Sequence, residues 1–148
     1  MSIALAQIQA IAIKTASGGP MREVAAANVE IGGGIIGGEK PSAKRGVTFI
    51  SSIQWTAVMQ LLGSDKPWHT RRANVLVDAA RLDLWFGKTV RVGTALIRIH
   101  AETRPCELMN EFVPGLLEAL KPECRAGVYG EVLEAGQFAV GDAVTRME

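Results

Sequence analysis

Glycine limits what this chain can fold into. Sixteen of its 148 residues are glycine, and they cut the apolar sequence into runs of strand length, leaving little room for long helical stripes. Eight such runs read as strands, over residues 8–14, 27–31, 46–50, 74–78, 89–92, 94–101, 128–134 and 143–147. Two stretches, GKTVRVGTALIR (87–98) and GQFAVGDAVTR (136–146), share one layout: turn glycine, short strand, Val-Gly, second strand. Each reads as a tight two-strand corner, because glycine admits the positive φ that such turns use. Many short strands joined by glycine corners predict a mainly β fold, a closed or partly closed β-barrel with a few short helices.

A chain of this length buries roughly 68–70% of the surface it exposes when unfolded, so a single domain over residues 1–148 needs no disulfide or metal staple. Its two cysteines are too few for a disulfide framework or a Cys-rich zinc site, which points to a reducing, cytoplasmic setting. Sixteen Lys and Arg against fifteen Asp and Glu leave a net charge of +1, which argues against nucleic acid as a partner. The apolar N-terminal stretch follows no basic residue and is broken by Gln7 and Gln9. It therefore makes a poor signal peptide, and no window supplies the roughly 18 apolar residues of a membrane span.

Helical signals are fewer. Ser51 and Gln54 have capping-box spacing, Ile50 and Trp55 fall where a hydrophobic staple sits, and Ile53, Ala57, Val58, Leu61 and Leu62 follow at helical spacing up to Gly63. A second helical region runs over 107–121, with Leu108, Met109, Phe112, Leu116, Leu117 and Leu120 as its apolar face. Pro114 interrupts it, most comfortably as the first residue of a new helix, and Pro122 stops it. The tract 32–45, GGGIIGGEKPSAKR, reads as an exposed, mobile loop. Its Gly32, Gly34 and Gly37 match G-x-G-x-x-G, but Glu39, Lys40 and Pro41 follow where a dinucleotide-binding helix would have to begin.

Cys106 is the residue most open to chemistry. It follows Pro105 at a strand end and precedes the second helical region, with Arg104 close by. Positive charge there favours the thiolate, the form that acts as a nucleophile or a soft-metal ligand. A buried, inert thiol is the alternative. Cys124 sits at no metal-motif spacing from Cys106 and reads as structural. Lys40, Lys44, Arg45, Arg71, Arg72, Arg104 and Arg125 fall at strand ends or loops, where a barrel gathers side chains at one mouth and guanidiniums hold phosphate. A solvated surface is the plainer reading of the same charges. The segment WHTRRAN (68–74) places an aromatic ring, an imidazole, two guanidiniums and the Asn74 amide ahead of a strand, a set able to stack on and hydrogen-bond a heterocycle. Two histidines, His69 and His100, are too few for a multi-His metal site.

Taken in order, RGVTFIS (45–51), RRANVLVDA (71–79), GKTVRVGTALIRIHAETRPC (87–106) and RAGVYGEVLEAGQFAVGDAV (125–144) make the chain resemble the MOSC domain, the C-terminal domain of molybdenum cofactor sulfurase, in its short stand-alone bacterial form. The resemblance implies a barrel like that of pyruvate kinase, with a functional cysteine at Cys106. It implies a molybdenum cofactor (molybdopterin) held by Cys106 as metal ligand, with Arg45, Arg72, Asn74 and Arg125 around its phosphate and pterin. Reduction of N-hydroxylated small molecules, fed by a separate electron-donor protein, is one implied activity. Sulfur carriage as a persulfide is the other, the sulfur coming from a cysteine desulfurase whose pyridoxal phosphate belongs to that partner. The sequence departs from the family where Gly38-Glu39 stands in place of a Gly-Asp pair, so that contact moves to Glu39 or is missing. A non-enzymatic ligand- or protein-binding barrel, with Cys106 a bystander, is the competing class, and the oligomeric state stays open.

Overall fold

A computed structural model of the chain describes residues 3–15, 20–38 and 43–147. The expectations placed on Glu39, Lys40 and Pro41 lie outside these. Eleven strands form in chain order: β1 Ile3–Lys14, β2 Met21–Val24, β3 Ala26–Glu30, β4 Gly34–Ile35, β5 Val47–Ser51, β6 Val75–Val77, β7 Thr89–Val92, β8 Ala95–Glu102, β9 Val128–Glu134, β10 Gly136–Ala139 and β11 Ala143–Met147. Three short helices accompany them: α1 Ser52–Leu62, α2 Met109–Phe112 and α3 Leu116–Leu120.

Seven strands run β11-β7-β8-β9-β5-β6-β1, and β1 pairs back onto β11 to close the ring, with β2 added along β1. The fold is thus the predicted mainly β barrel. Alternation explains its interior: Ile97 and Ile99 of β8, Val90 and Val92 of β7 and Val128 and Val132 of β9 point inward at period two and are almost fully buried. Phe49 of β5 stands edge-on to Trp85 in the same core, ring centroids 5.8 Å apart. Among the described residues the one parallel neighbour pair is β5 with β6, and parallel neighbours need a crossover. Here the crossover carries α1 and the 3-10 turn Trp68–Arg71, which seat a second apolar cluster, Ile50, Trp55, Val58, Trp68, Leu116 and Leu120 among it, against the barrel.

Several sequence expectations change. The first glycine corner is a β7–β8 hairpin, as its layout suggests. The second is no hairpin, because β10 pairs with β3 while β11 pairs with β7 and β1. That corner carries the chain from a three-stranded sheet, β10-β3-β4, into the barrel. The glycine tract is not wholly an exposed loop either, since residues 33–35 are buried and Gly34–Ile35 form β4. Gly37 and Gly38 are not helical, and the positions where a dinucleotide-binding helix would have to begin lie outside the described residues.

Ser51 does cap α1, its Oγ accepting from Gln54 N at 3.1 Å while donating to the Ala79 carbonyl. The Gln54 side chain, however, donates to the Glu123 carbonyl at 2.8 Å instead of returning to the cap. The helix buries Gln54, Trp55, Val58 and Met59, leaving Ile53 and Leu61 51% and 68% exposed. The second helical region breaks into α2 and α3, with Gly115 at φ 86 between them. Of the expected apolar face Met109, Leu116 and Leu120 are buried, while Leu108 and Phe112 stand exposed and Val113 is buried in addition. Short helices that lean on a sheet by one turn each do not keep the single stripe that a continuous helix would.

Gly127 lies at φ +104 where a Cβ would overlap the Phe49 carbonyl oxygen and approach Thr103 Oγ1 at 3.2 Å. Gly127→Ala is expected to cost about 3 kcal/mol or more, combining backbone strain with a clash against main chain. Gly141→Ala, at φ +97 with open space around it, is expected to cost only about 1–2 kcal/mol from the left-handed backbone. Urea denaturation of both variants checks the contrast.

Candidate functional site

The site forms where β8 leaves the barrel. Thr103, just past β8, is buried, and its N donates to the Gly127 carbonyl at 2.9 Å while Oγ1 donates to the Ala126 carbonyl at 2.7 Å. Replacing the Gly127 hydrogen would therefore disturb the same clamp. From the other side Arg71 reaches over, its Nη2 donating to the carbonyls of Thr103 at 2.8 Å and Arg104 at 3.4 Å. The segment 103–106 leaves the strand held at two points, and Cys106 stands exposed at its end. The Cys106 carbonyl accepts from Met109 N at 2.9 Å. The helix expected to offer its N-terminus to the thiol is the single turn α2, starting three residues downstream. The local cations are guanidiniums instead.

Arg71 is the central one. Burial pulls its guanidinium below the ordinary arginine range, against the opposing field of Cys106, and Arg45 and Glu102 also act on it. Its Nε is buried and meets no acceptor among the described residues. An unspent buried donor is costly unless something satisfies it. In the sequence Arg71 is one loop cation among several, and the expected cofactor contact is its neighbour Arg72, which follows the 3-10 turn in the left-handed region at φ 64. The missed signal was the three-residue period of that turn, which eclipses position 71 with the buried Trp68.

Beside this loop lies a cavity of about 550 Å³, lined by Arg45, Phe86, His100, Glu102, Arg104 and Tyr129 among others. A bulge makes it. In the β8–β9 register Ile99 opposes Gly130 and Ala101 opposes Tyr129, leaving His100 as the extra residue. Opposed residues share a face, so Ala101 joins Tyr129 while Glu102 falls opposite Val128, which is fully buried. His100 Nε2 meets Glu131 Oε1 at 2.9 Å, and the Arg45 guanidinium lies 5.0 Å from the Tyr129 ring centroid. Such a cation over a ring face is attracted by its quadrupole.

Of the residues expected to surround a cofactor, Arg45 lines the cavity, Arg72 directly follows Arg71, and Cys106 ends the segment whose Thr103 and Arg104 carbonyls Arg71 holds. The other two serve the scaffold where they stand. Asn74 Oδ1 accepts from Thr48 N and Oγ1 at 3.1 and 3.0 Å, and its Nδ2 donates to the Ala12 carbonyl at 3.2 Å, lacing β1, β5 and β6 together. Arg125 Nη1 donates to the Ala119 carbonyl at 3.2 Å in α3. Cys124 is buried in the barrel core, as a structural thiol should be, and burial first, then Glu102 and Asp83, push its thiol up to about 11. No group of three or more His, Cys, Asp or Glu able to hold a metal ion occurs among the described residues, and no described helix is long and apolar enough to cross a membrane.

The MOSC domain pattern matches residues 19–145. No curated protein sequence matches the chain. Among solved structures, the YuaD protein from Bacillus subtilis is similar with a TM-score of 0.78 at 17% identity, over 99% of this chain and 96% of that one. YiiM from Escherichia coli gives 0.75 at 13%, over 96% and 70%, and YiiM from Geobacillus stearothermophilus gives 0.69 at 17%, over 100% and 76%. At these identities the likeness is one of fold.

The two thiols should separate chemically. At pH 8 iodoacetamide is expected to label Cys106 alone, with Cys124 reacting only on unfolding, as peptide mass mapping would show. Because the unfolded Cys124 thiol ionises near its ordinary value of 9.0 and the folded one near 11, its contribution to stability is full below pH 9 and is lost as pH rises towards 11. A denaturation series across that window, compared with Cys124→Ser, checks the sign.

Proposed function

This chain belongs to the MOSC domain family, and on that premise we propose that it binds the molybdenum cofactor through Cys106 and serves as a small reductase. The observation that carries the reading is the buried, unspent Nε of Arg71 behind an exposed thiol. The donor set fits the group: a thiolate is the soft ligand that molybdenum accepts, and a buried guanidinium suits an anionic phosphate. Cys106 would hold the metal, and Arg71 with Arg72 would meet the cofactor's negative charge. When bound, the cofactor supplies two-electron chemistry of the kind that reduces N-hydroxylated compounds.

The chain's own residues then do the holding. Thr103 and Arg71 fix the segment that ends in Cys106, so its thiol stays at one place while a ligand enters beside it. Asn74 ties together the strands beneath Arg72, and Arg125 steadies α3, so both act as positioning residues in this reading. Electrons reach the site from a separate donor protein. The exposure of Cys106 also favours a second reading, sulfur carriage. There the Cys106 thiolate attacks the outer sulfur of a desulfurase persulfide, forming a Cys106 persulfide and releasing the desulfurase thiolate.

Metal analysis and intact mass of protein made in a cofactor-producing host test the proposal. Wild type is expected to retain molybdenum near one equivalent, and Cys106→Ala to lose it while its stability stays within about 0.5 kcal/mol, as for other exposed substitutions. A mass increment of one sulfur that thiol reductant removes would move the assignment to sulfur carriage. Neither molybdenum nor sulfur in wild type would overturn both and leave a binding barrel.

A further inference from the structure

We propose that the cavity between the Ala43–Arg45 turn and the outer wall of β8 and β9 binds a small aromatic carboxylate as the substrate-side ligand, at the Arg104 end of the segment that carries Cys106. The inference names a ligand class for the site proposed above and rests on that reading only for the role of substrate.

Charge comes first. Among the described residues, neither Arg45 nor Arg104 has a carboxylate within ion-pair distance, and both are exposed at the cavity. Of the other charged groups there, Glu131 takes up the imidazole of His100 at 2.9 Å, and Glu102 falls opposite the buried Val128, on the other face from Tyr129. Two guanidiniums are left to face a ligand. A planar carboxylate is the anion their forked donors match best.

Shape supplies the rest. Phe86 stands at the cavity 42% exposed, and the Tyr129 ring carries the Arg45 guanidinium over it. A ligand ring has aromatic surface to cover at Phe86 and a stacked cation at Arg45 to meet its acid group. Inorganic anions or acetate would engage the guanidiniums and leave Phe86 open to water. A cationic ring of the same shape would meet two like charges. The β8 bulge at His100 places Ala101, a small side chain, on the cavity floor beside Tyr129, so the floor leaves room for a flat ring. Arg104 lies two residues ahead of Cys106, which sets the acid-binding end towards the thiol segment.

Calorimetric titration of the purified full chain at low salt with three probes, benzoate, acetate and benzamidine, tests this. Benzoate is expected to bind, acetate to bind at least about tenfold more weakly because it lacks the ring that covers Phe86, and benzamidine not to bind because its charge meets two guanidiniums. Arg45→Gln and Arg104→Gln should each weaken benzoate about tenfold and Phe86→Ala several-fold, with melting temperatures unchanged because all three side chains are on the surface. Benzamidine binding as well as benzoate, no benzoate binding at all, or benzoate binding indifferent to both arginines would each overturn the proposal. Protein that retains molybdenum but fails these titrations keeps the cofactor reading and loses this one. Protein that binds benzoate through both arginines yet holds no molybdenum does the reverse.

Discussion

The rest of the structure depends on the pairing of β1 with β11. Ile3 opposes Arg146, Ala4 opposes Thr145 and Gln7 opposes Ala143, so strands from opposite ends of the sequence close the ring. A seven-stranded sheet left open would present two unpaired edges and could not keep Val90, Ile97, Val132 and Val144 dry on a common inner face. The closure is demanding, because the contacting residues are far apart in sequence and their loop entropy is lost before the ladder forms. β1 answers with length. Its twelve residues meet β11, then β6 and β2, with register shifts between Ala4 and Ala6 and between Ile8 and Ala10 that bend one strand across three partners.

Much of this was legible in the sequence because it is local. Glycine corners and period-two apolar runs mark β5, β7, β8, β9 and β11 to within a residue or two, and Ser51 and Gly63 fix both ends of α1 as their chemistry requires. What failed was partner choice. The repeat GQFAVGDAVTR resembles a hairpin in every local respect, yet β10 joins β3 because Phe138 is needed in the core from that side. The α1 stripe failed for a related reason. Gln54 is drawn inward by the Glu123 carbonyl, and the helix rotates so that Ile53 and Leu61 face out. Tertiary hydrogen bonds decide such rotations, and no propensity encodes them.

The candidate site was half legible. Cys106 stands out from its Thr-Arg-Pro-Cys context and the structure exposes it, while Arg45 lines the neighbouring cavity. Asn74 and Arg125 have the right chemistry in the sequence, and the structure shows that chemistry bonded to strand and helix carbonyls. Arg71 was obscured because a basic side chain in a loop usually faces water. Here a 3-10 turn anchored by Trp68 folds it beneath the thiol segment. Phe86, Tyr129 and Glu131 carry no local signal, since each matters only through strands that meet across the wall.

The bulge at His100 makes β8 a strand with two phases. Before it Ile97 and Ile99 face the interior; past it Ala101 pairs with Tyr129 and Glu102 falls opposite the buried Val128. Chain length at this point, more than side-chain identity, therefore decides which wall Glu102 joins and where the segment through Arg104 to Cys106 emerges. Relatives that vary the residue at 100 can keep the geometry. Those that gain or lose one residue there would turn the thiol segment to a different face, and their cysteine would need a different chemistry or none.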